Sequence, residues 1–386
     1  MDNFFGGKLI ATGSKSCIIS PNIRCKNNRY NKRNKKNISK ISFGNKSEEY
    51  SKREKFINDI IKRIPNYKNW ALTYDYMCKP PSYLETLEID KGIKKCLEGE
   101  DTSILDSEII SKENLFNKNS VMLIGEFGGI TLDEYFDKKF YNISSIKAIE
   151  KEFLILMKKI KNIFKGLVEL SIYEISHLDI KQNNIVLSKG HFKFIDFGLS
   201  NKFSNIEHFK NRANNEFKTS RIYLWYPPEY IFAYKNPNEL TNEINTINNY
   251  GIDDYRKHIR ILDKIYNRFL SINIEKYLID LLKFYTNMES DKLSQNEYKE
   301  IIKGIDCYSF GLLMPILFYN YDLLDFIEKS KVISDFFILF SLMIYPDHKK
   351  RIQIDKAYKI FENLLKKYSK NTKKTKKTKK TKKKKN

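Results

Sequence analysis

The sequence of 386 residues has little cysteine and no long apolar run. Its five cysteines are scattered, odd in number and without a Cys-x-x-Cys pair; they are Cys17, Cys25, Cys78, Cys96 and Cys307. This pattern predicts neither a disulfide framework nor a zinc site, so we expect a reducing compartment inside a cell, cytoplasmic or nuclear. The absence of about 18 consecutive apolar residues argues against a membrane span. The first residues lack a basic region followed by an apolar one, so no secretory signal is predicted.

Acidic residues are outnumbered, with 47 Asp and Glu against 70 Lys and Arg, and the formal net charge is +23. Part of this charge is local, because residues 370–386 contain eleven Lys and no acid. The basic balance favours phosphate-bearing partners, although an AT-rich genome would equally enrich Lys, Asn and Ile. Hydrophobic residues make up 41% and aromatic residues 14%. That share can form a core and excludes wholesale disorder.

Apolar patterning places strands early in the chain and helices late. Strands are predicted at 8–19 (two, joined by a turn of small residues), 37–41, 121–124, 185–187 and 192–195, and helices at 48–64 and 144–172. Residues 66–119 have no clear period and are interpreted as holding a polar insertion. After about residue 200 the pattern is mostly helical. This order predicts an α+β molecule of two lobes.

Two motifs around a predicted hairpin carry the chemistry. The first is His-Leu-Asp-Ile-Lys-Gln-Asn-Asn at 177–184, and the second, Asp-Phe-Gly at 196–198, begins twelve residues after Asn184, directly after a strand. Either motif alone could arise by chance, but both in this order and spacing are not expected to. At these residues the sequence resembles the eukaryotic protein kinase family.

The resemblance implies a role for each polar residue of the two motifs. Asp179 would face the attacking hydroxyl, and Lys181 would offset the charge that develops on the transferred phosphate. Asn184 and Asp196 would supply the hard oxygen ligands that Mg²⁺ prefers. Taken singly, Asp179 and Asp196 are better explained as loop acids that cap turns; the complete set is not.

Three more distant stretches resemble elements of the same family. They are Tyr-Pro-Pro-Glu at 226–229, Asp-Cys-Tyr-Ser-Phe-Gly at 306–311 and Pro-Asp-His-Lys-Lys-Arg at 346–351. The first is similar to the Ala-Pro-Glu element that closes the activation segment. By the same resemblance, Asp306 would accept hydrogen bonds from the catalytic-loop backbone. Arg351 and Glu229 would form a buried structural ion pair.

The nucleotide-binding turn is the weakest part of the match. The resemblance implies ATP as cofactor, held by a glycine-rich turn that corresponds to residues 11–16, where only Gly13 of the three glycines survives. Small residues would still let backbone amides approach phosphate. The residues assigned to this side of the nucleotide are Ile10, Ala11, Gly13, Ser14 and Ile18. The departure bears on ATP affinity rather than on the fold.

Lys40, in the strand at 37–41, is the candidate for the lysine that pairs with the α- and β-phosphates. Its carboxylate partner is expected on the next helix. Glu54 is preferred because it faces the apolar stripe suitably, with Glu48 and Glu49 as rivals.

A hinge that binds adenine through its backbone is expected where the strand at 121–124 ends. The candidate residues are Glu126 and Gly128. In this register Gly125 falls at the position that gates the back pocket, and a glycine there is expected to leave extra room.

Two departures from the family pattern have consequences for activity. Leu178 stands where the family usually has an arginine that grips a phosphorylated loop, so activity is expected not to depend on loop phosphorylation in that way. Changes at Thr219 and Ser220 would test this. Lys181, two residues after Asp179, is the arrangement of Ser/Thr kinases, which implies Ser or Thr acceptors in a protein substrate.

Glu229 and Asp306 are 77 positions apart, which is far longer than the family spacing. It is interpreted as a helical insertion at about 232–300, which either docks substrate or is inert. The Lys-rich tail at 369–386 is predicted to be disordered. One interpretation is a basic patch that binds nucleic acid or an acidic surface, or that serves nuclear import. The other is a solvated terminus without a partner.

Together these features predict a two-lobed protein kinase-like fold, with a small antiparallel-sheet lobe at 1–125 and a helical lobe at 126–368. The expected function is transfer of the γ-phosphoryl group of ATP to protein Ser or Thr. The alternatives are a catalytically weak pseudokinase that acts as a scaffold, and a kinase for a small molecule or lipid. The stretch at 17–21 with Cys25 is also similar to kinase-like proteins of large DNA viruses, which would place the protein in a host cell or virion.

Overall fold

The computed structural model describes residues 7–13, 16–26, 34, 36–90, 112–216, 224–233, 253–287 and 293–382. Ser14, Thr219, Ser220 and parts of the predicted insertion and tail lie outside these residues. The chain divides into two compact units. The N-terminal unit comprises Met1–Gly129 with Phe194–Leu199, and the C-terminal unit comprises Ile130–Lys193 with Ser200–Asn386. The predicted lobe boundary at residue 125 therefore falls inside the N-terminal unit.

The N-terminal unit is built on a five-stranded antiparallel sheet of order β1-β2-β3-β5-β4. Its strands are β1 (Lys8–Gly13), β2 (Ser16–Ser20), β3 (Asn37–Ser42), β4 (Tyr74–Cys78) and β5 (Val121–Glu126). Helix α1 (Ser47–Ile61) packs against β3, β4 and β5. Two shorter helices, α2 (Tyr83–Ile89) and α3 (Lys112–Asn119), pack against each other.

Alternation of buried and more exposed side chains explains why the sequence predicted these strands. In β2 the side chains of Cys17 and Ile19 point inward and join Ile41 and Ile124 in one buried cluster, because successive residues of a strand face opposite sides. Strand β4 was not predicted. It is an edge strand in which only Tyr74 is buried. Its sequence therefore lacks the alternation of apolar and polar residues by which a strand is predicted.

The prediction that the cysteines form no disulfide bonds was wrong. Cys25 and Cys78 form a disulfide across 53 positions of sequence, with their Cα atoms 5.9 Å apart, and Cys17 is also disulfide-bonded. The loop after β2 and the end of β4 meet only in the folded sheet, so scattered spacing did not reveal the pairing. Closing a loop of this length stabilises the fold by about 4 kcal/mol in the chain-entropy account. The expectation of a reducing compartment thus loses its support and stays a prediction.

The C-terminal unit is mainly helical, as predicted. Its helices are α4 (Leu132–Phe140), α5 (Ile146–Ile172), α6 (Ile206–Glu216), α7 (Asp253–Leu270), α8 (Ile274–Asn287), α9 (Gln295–Asn320), α10 (Asp325–Lys329), α11 (Lys331–Met343) and α12 (Ile354–Lys382). Its short strands are β6 (Ile175–Ser176), β7 (Ile185–Ser188), β8 (His191–Phe194) and β9 (Asn201–Lys202), paired as β6-β9 and β7-β8. The predicted hairpin is β7-β8, and Lys189 and Gly190 form its turn with positive φ values of 52° and 86°.

Helix α9 forms the centre of the C-terminal unit. A Cβ on Gly311 would lie 2.5 Å from Cβ of Met343, so only glycine lets α9 and α11 approach this closely. Among the helices in the described ranges, α9 alone is long and apolar enough to cross a membrane, and 89% of its most apolar window is buried inside the protein.

The described parts of the predicted insertion and tail are helical. Within the insertion, α7 is part of the core, because the buried Tyr266 hydroxyl bonds to the Tyr308 hydroxyl and donates to the Ile344 carbonyl. The backbone of α12 runs on to Lys382. Its Thr-Lys-Lys repeat sets like charges three and four residues apart, which destabilises a helix, so disorder of the tail stays a prediction.

Candidate active site

In the N-terminal unit, Lys40 lies between two carboxylates. Its Nζ is 3.1 and 3.0 Å from the two carboxylate oxygens of Glu54 on α1, and 2.9 Å from Oδ1 of Asp196. Lys40 and Glu54 are both buried. Of the three glutamates considered as partners, Glu54 is the one in contact, while Glu48 pairs with Lys52 on the outer face of α1.

One cation facing two carboxylates sets the charge state of this group. Burial disfavours the Lys40 ammonium, but the attraction of Asp196 and Glu54 outweighs it and raises the pKa of Lys40 well above its usual value. Burial raises the pKa of Glu54 to about 7, against the opposing attraction of Lys40. Glu54 therefore changes its charge near neutral pH.

Tyr74 is a member of this site that the sequence did not reveal. Its ring lies 5.8 Å from Lys40 Nζ, within range of a cation–π interaction. Its backbone N–H donates to Oδ1 of Asn58 at 2.9 Å, and Nδ2 of Asn58 donates to the Glu54 carbonyl. Tyr74 thus ties β4 to the turn of α1 that carries Glu54. The signal was hidden because β4 itself was not predicted.

The expected extra room at Gly125 is not there. Gly125 lies on β5 opposite Tyr74, and an added Cβ would meet the Thr73 carbonyl oxygen at 2.9 Å and Cδ1 of Tyr74 at 3.0 Å. The glycine serves close approach of the neighbouring strand, and the Tyr74 side chain occupies the adjacent space.

Two of the residues assigned to the glycine-rich turn, Ala11 and Ile18, are in register with Lys40 across the sheet. Ala11 pairs with Ile18, and Ile18 pairs with Lys40, so the three form one row over β1, β2 and β3. Ile10 falls where the β1–β2 register shifts and is exposed. Gly13 closes the hairpin opposite Ser16.

The predicted hinge residues follow directly from β5. Glu126 is the last residue of the strand and pairs with Asn37, and the next residue, Phe127, donates its N–H to the Lys36 carbonyl at 2.7 Å. Gly128 then continues the chain as irregular backbone. The adenine-binding role of Glu126 and Gly128 stays a prediction.

In the C-terminal unit, Asp179 is held by two side chains of its own loop. Lys181 Nζ is 3.0 Å from Asp179 Oδ1, and Asn184 Nδ2 donates to Asp179 Oδ2 at 2.6 Å and to its carbonyl at 2.9 Å. The loop runs from β6 to β7, so both its ends are anchored in short sheets. Asp179 is only 8% exposed, so these contacts fix its carboxylate in a largely buried position.

Helix α9 anchors this loop from beneath. Asp306 accepts hydrogen bonds from the backbone N–H groups of His177, at 2.6 Å, and Leu178, at 2.9 Å, which confirms the contact predicted for Asp306. Burial raises the pKa of Asp306 to about 7, although both amides oppose the shift. Ser309, one turn further along, donates to the Trp225 carbonyl at 2.6 Å.

The predicted Arg351–Glu229 ion pair is also confirmed. Arg351 Nη1 lies 2.6 Å from Glu229 Oε1 and Nη2 lies 3.0 Å from Oε2. Both side chains are only 2% exposed. Burial opposes the charge of Arg351, but Glu229 outweighs it and raises its pKa.

The proposed Mg²⁺ ligands have suitable chemistry. Asn184 makes its contacts to Asp179 through Nδ2, so Oδ1 is the atom through which it could bind a cation. Asp196 supplies carboxylate oxygens, and both types are the hard donors that Mg²⁺ prefers. Among the residues that the structure describes, no group of three or more His, Cys, Asp or Glu is placed to hold a metal ion.

Residues 106–246 match a family model described as a protein kinase domain. This match supports the eukaryotic-type protein kinase family and kinase activity in general. The matched residues include Asp179, Asn184 and Asp196 but not Lys40 or Glu54. Among curated proteins, no match to the chain was found.

Proposed function

We propose that this protein is an ATP-dependent serine/threonine protein kinase. The observation that carries the proposal is the contact of Lys40 with both Glu54 and Asp196. Lys40 and Asp196 are 156 positions apart in sequence, and Lys40 lies outside the residues that match the family model. The contact therefore joins Asp196, which lies inside the matched range, to Lys40 and Glu54, which lie outside it.

The proposed reaction forms one bond and breaks another. The hydroxyl oxygen of a Ser or Thr attacks the γ-phosphorus of ATP, the bond from that phosphorus to the β–γ bridging oxygen breaks, and ADP leaves. Asp179 orients the hydroxyl and takes its proton, and Lys181 offsets charge on the phosphoryl oxygens. Lys40 binds phosphate oxygens and is oriented by Glu54. Asn184 and Asp196 would hold Mg²⁺, which neutralises charge on the phosphates when bound.

A scaffold without activity is the second candidate, and the loss of glycines around Gly13 favours it. Against it stand the contacts of Asp179 with Lys181 and Asn184, and of Lys40 with Asp196, which a scaffold has no chemical need to keep. The preference for Ser and Thr over Tyr rests on Lys181 alone.

The proposal is tested by Mg²⁺-dependent transfer of labelled γ-phosphate from ATP to a mixture of basic proteins. Wild type should label Ser and Thr, and Asp196→Ala should abolish labelling. Asp263→Ala is the matched control, because Asp263 lies on α7 and accepts a hydrogen bond from Nδ2 of Asn267 on the same helix. Labelling of a lipid or small molecule instead of protein would support the third alternative. No labelling together with no ATP-induced thermal shift would contradict the proposal and support the scaffold.

The charge of Glu54 predicts a pH dependence. Below about pH 7 Glu54 is protonated, so Lys40 is drawn to Asp196 alone and competes for the carboxylate assigned to Mg²⁺. Above that pH the ionised Glu54 holds Lys40. We therefore expect kcat/KM for ATP, which reports ionisations of the free enzyme, to rise through about pH 7.

The variant Glu54→Gln distinguishes the ionisation of the Glu54 carboxyl from that of ATP itself. The variant should be less active and should lose the rising limb, because glutamine does not titrate. If Glu54→Gln kept the wild-type pH profile, the limb would belong to another group and the prediction would be wrong.

A further inference from the structure

The hydroxyl of Tyr226 joins two buried groups of the C-terminal unit. It donates to the Leu178 carbonyl at 2.6 Å and accepts from Nη2 of Arg212 at 2.8 Å. Arg212 belongs to α6, and Leu178 directly precedes Asp179 in the chain. The hydroxyl therefore links a helix that follows the Asp-Phe-Gly motif to the residue next to the proposed catalytic carboxylate.

Leu178 has a backbone conformation that must be held in place. Its φ is 60°, in the left-handed region that residues with a side chain rarely adopt. Asp306 holds its N–H at 2.9 Å, and Tyr226 holds its carbonyl. The peptide before Asp179 is thus fixed from both sides, and loss of either bond would let it relax toward an ordinary conformation.

Tyr226 is itself immobilised by its surroundings. Its ring lies 4.4 Å from the ring of Tyr230, which meets Phe209 of α6 edge-on at 5.3 Å. Asn214, on the same helix, bonds to the Ala233 carbonyl. Helix α6 and residues 224–233 are therefore packed together, and the Tyr226 hydroxyl carries that packing to Leu178.

The side chain of Leu178 cannot bind a phosphate, so the contacts of its backbone carbonyl matter for holding the loop. It is apolar and only 2% exposed, so it offers no charge with which a phosphorylated loop could be gripped. The carbonyl of the same residue is instead bonded to Tyr226, and through it to the buried guanidinium of Arg212. A grip on a phosphorylated loop would need a basic side chain at residue 178, whereas the hydrogen bonds seen here use only the backbone of Leu178 and need no phosphate.

We propose that Tyr226 and Arg212 are positioning residues that hold Leu178, and with it Asp179, in working geometry without loop phosphorylation. This proposal rests on the proposed kinase function. Because a misplacement of about 1 Å can cost on the order of a hundredfold in rate, a partial relaxation should cost roughly tenfold. The loss should fall on kcat, since neither residue belongs to the group around Lys40.

The test compares two tyrosines that each lose only a buried hydroxyl. Tyr226→Phe should lower kcat about tenfold with KM for ATP unchanged. Tyr266→Phe is the matched control, because its hydroxyl also donates to a backbone carbonyl, that of Ile344 at 2.8 Å, and has a second polar partner. It should lower thermal stability comparably and leave kcat unchanged. Equal kcat in both variants would overturn the proposal, whereas an inactive wild type would instead count against the kinase function.

Amide hydrogen exchange of the full chain gives a readout that does not need activity. Peptides that cover residues 175–181 should exchange faster in Tyr226→Phe but not in Tyr266→Phe. Arg212→Met should act in the same direction, and the double variant should have nearly the kcat of Tyr226→Phe, because both changes break one link. Unchanged exchange in Tyr226→Phe, or fully multiplicative losses of kcat in the double variant, would refute a shared positioning role.

Discussion

Asp179→Asn is expected to reduce phosphoryl transfer by roughly 10²–10⁴-fold, the usual range for loss of a general base. Asparagine has nearly the same shape, so substrate access should change little, but its amide cannot take a proton at neutral pH. The measurement is the initial rate of γ-phosphate transfer at saturating ATP. KM for ATP and the ATP-induced thermal shift should remain close to wild type, because Asp179 is not among the residues assigned to the nucleotide.

The hydrogen bonds of Asp179 add a second reason for a loss of rate in Asp179→Asn. Both oxygens of Asp179 accept from donors, Nζ of Lys181 at 3.0 Å and Nδ2 of Asn184 at 2.6 Å. Asparagine has one acceptor, so its NH₂ group would face one of these two donors. The Asn184 amide has the shorter contact and should keep the oxygen, which leaves Lys181 to move. The loss of rate should therefore exceed that of Lys181→Ala.

Asp325→Asn is a suitable control for this prediction. Asp325 is 76% exposed, and its ion-pair partner is Arg268 on α7, so its loss should leave the rate unchanged. Thermal unfolding of each variant separates a lost base from a lost fold. A rate for Asp179→Asn within a few-fold of wild type would contradict the assignment of Asp179 as the general base, even if Asp196→Ala remained inactive.

Local spacing made the catalytic loop predictable. Asp179, Lys181 and Asn184 lie within one short loop, and their contacts depend on offsets that can be read from the sequence. The long-range contacts of Asp306 and of Arg351 with Glu229 were predicted only because three separated stretches resembled one family. The same resemblance did not rank Glu54 firmly over its neighbours, because α1 carries several glutamates in a lysine-rich region.

The parts that could not be predicted depend on strand pairing and on close packing. Tyr74 lies on an edge strand with little apolar alternation, and its neighbour Gly125 is explained only by the approach of that strand. The Cys25–Cys78 bond likewise needs the folded sheet. Tyr226 belongs to a stretch that resembled a family element, yet its bond to Leu178 comes from the backbone conformation of the loop. No pattern of residue types records such a contact.

Glu229→Gln is expected to be the most destabilising single change considered, at about 3–5 kcal/mol of unfolding free energy. Glutamine keeps the volume but leaves the guanidinium of Arg351 charged and without its counter-ion at a site where both side chains are 2% exposed. The remaining partners of Arg351 are backbone carbonyls, those of Tyr345 at 2.9 Å and of Gly304 and Pro346 at 3.4 Å. Denaturant unfolding of the full chain, followed by a signal of the C-terminal unit, measures the loss.

Glu328→Gln provides the exposed counterpart of this change. Glu328 pairs with Arg268 at 3.0 Å, but its side chain is 77% exposed, and such pairs contribute little because water screens them. Its removal should therefore have a several-fold smaller effect than Glu229→Gln. The double variant Glu229→Gln/Arg351→Met should recover part of the stability, because it removes the unpaired charge and fills the space with an apolar chain beside Tyr308. If the double variant were less stable than Glu229→Gln, the cost would lie in lost packing and carbonyl contacts, and the unpaired buried charge would not be its cause.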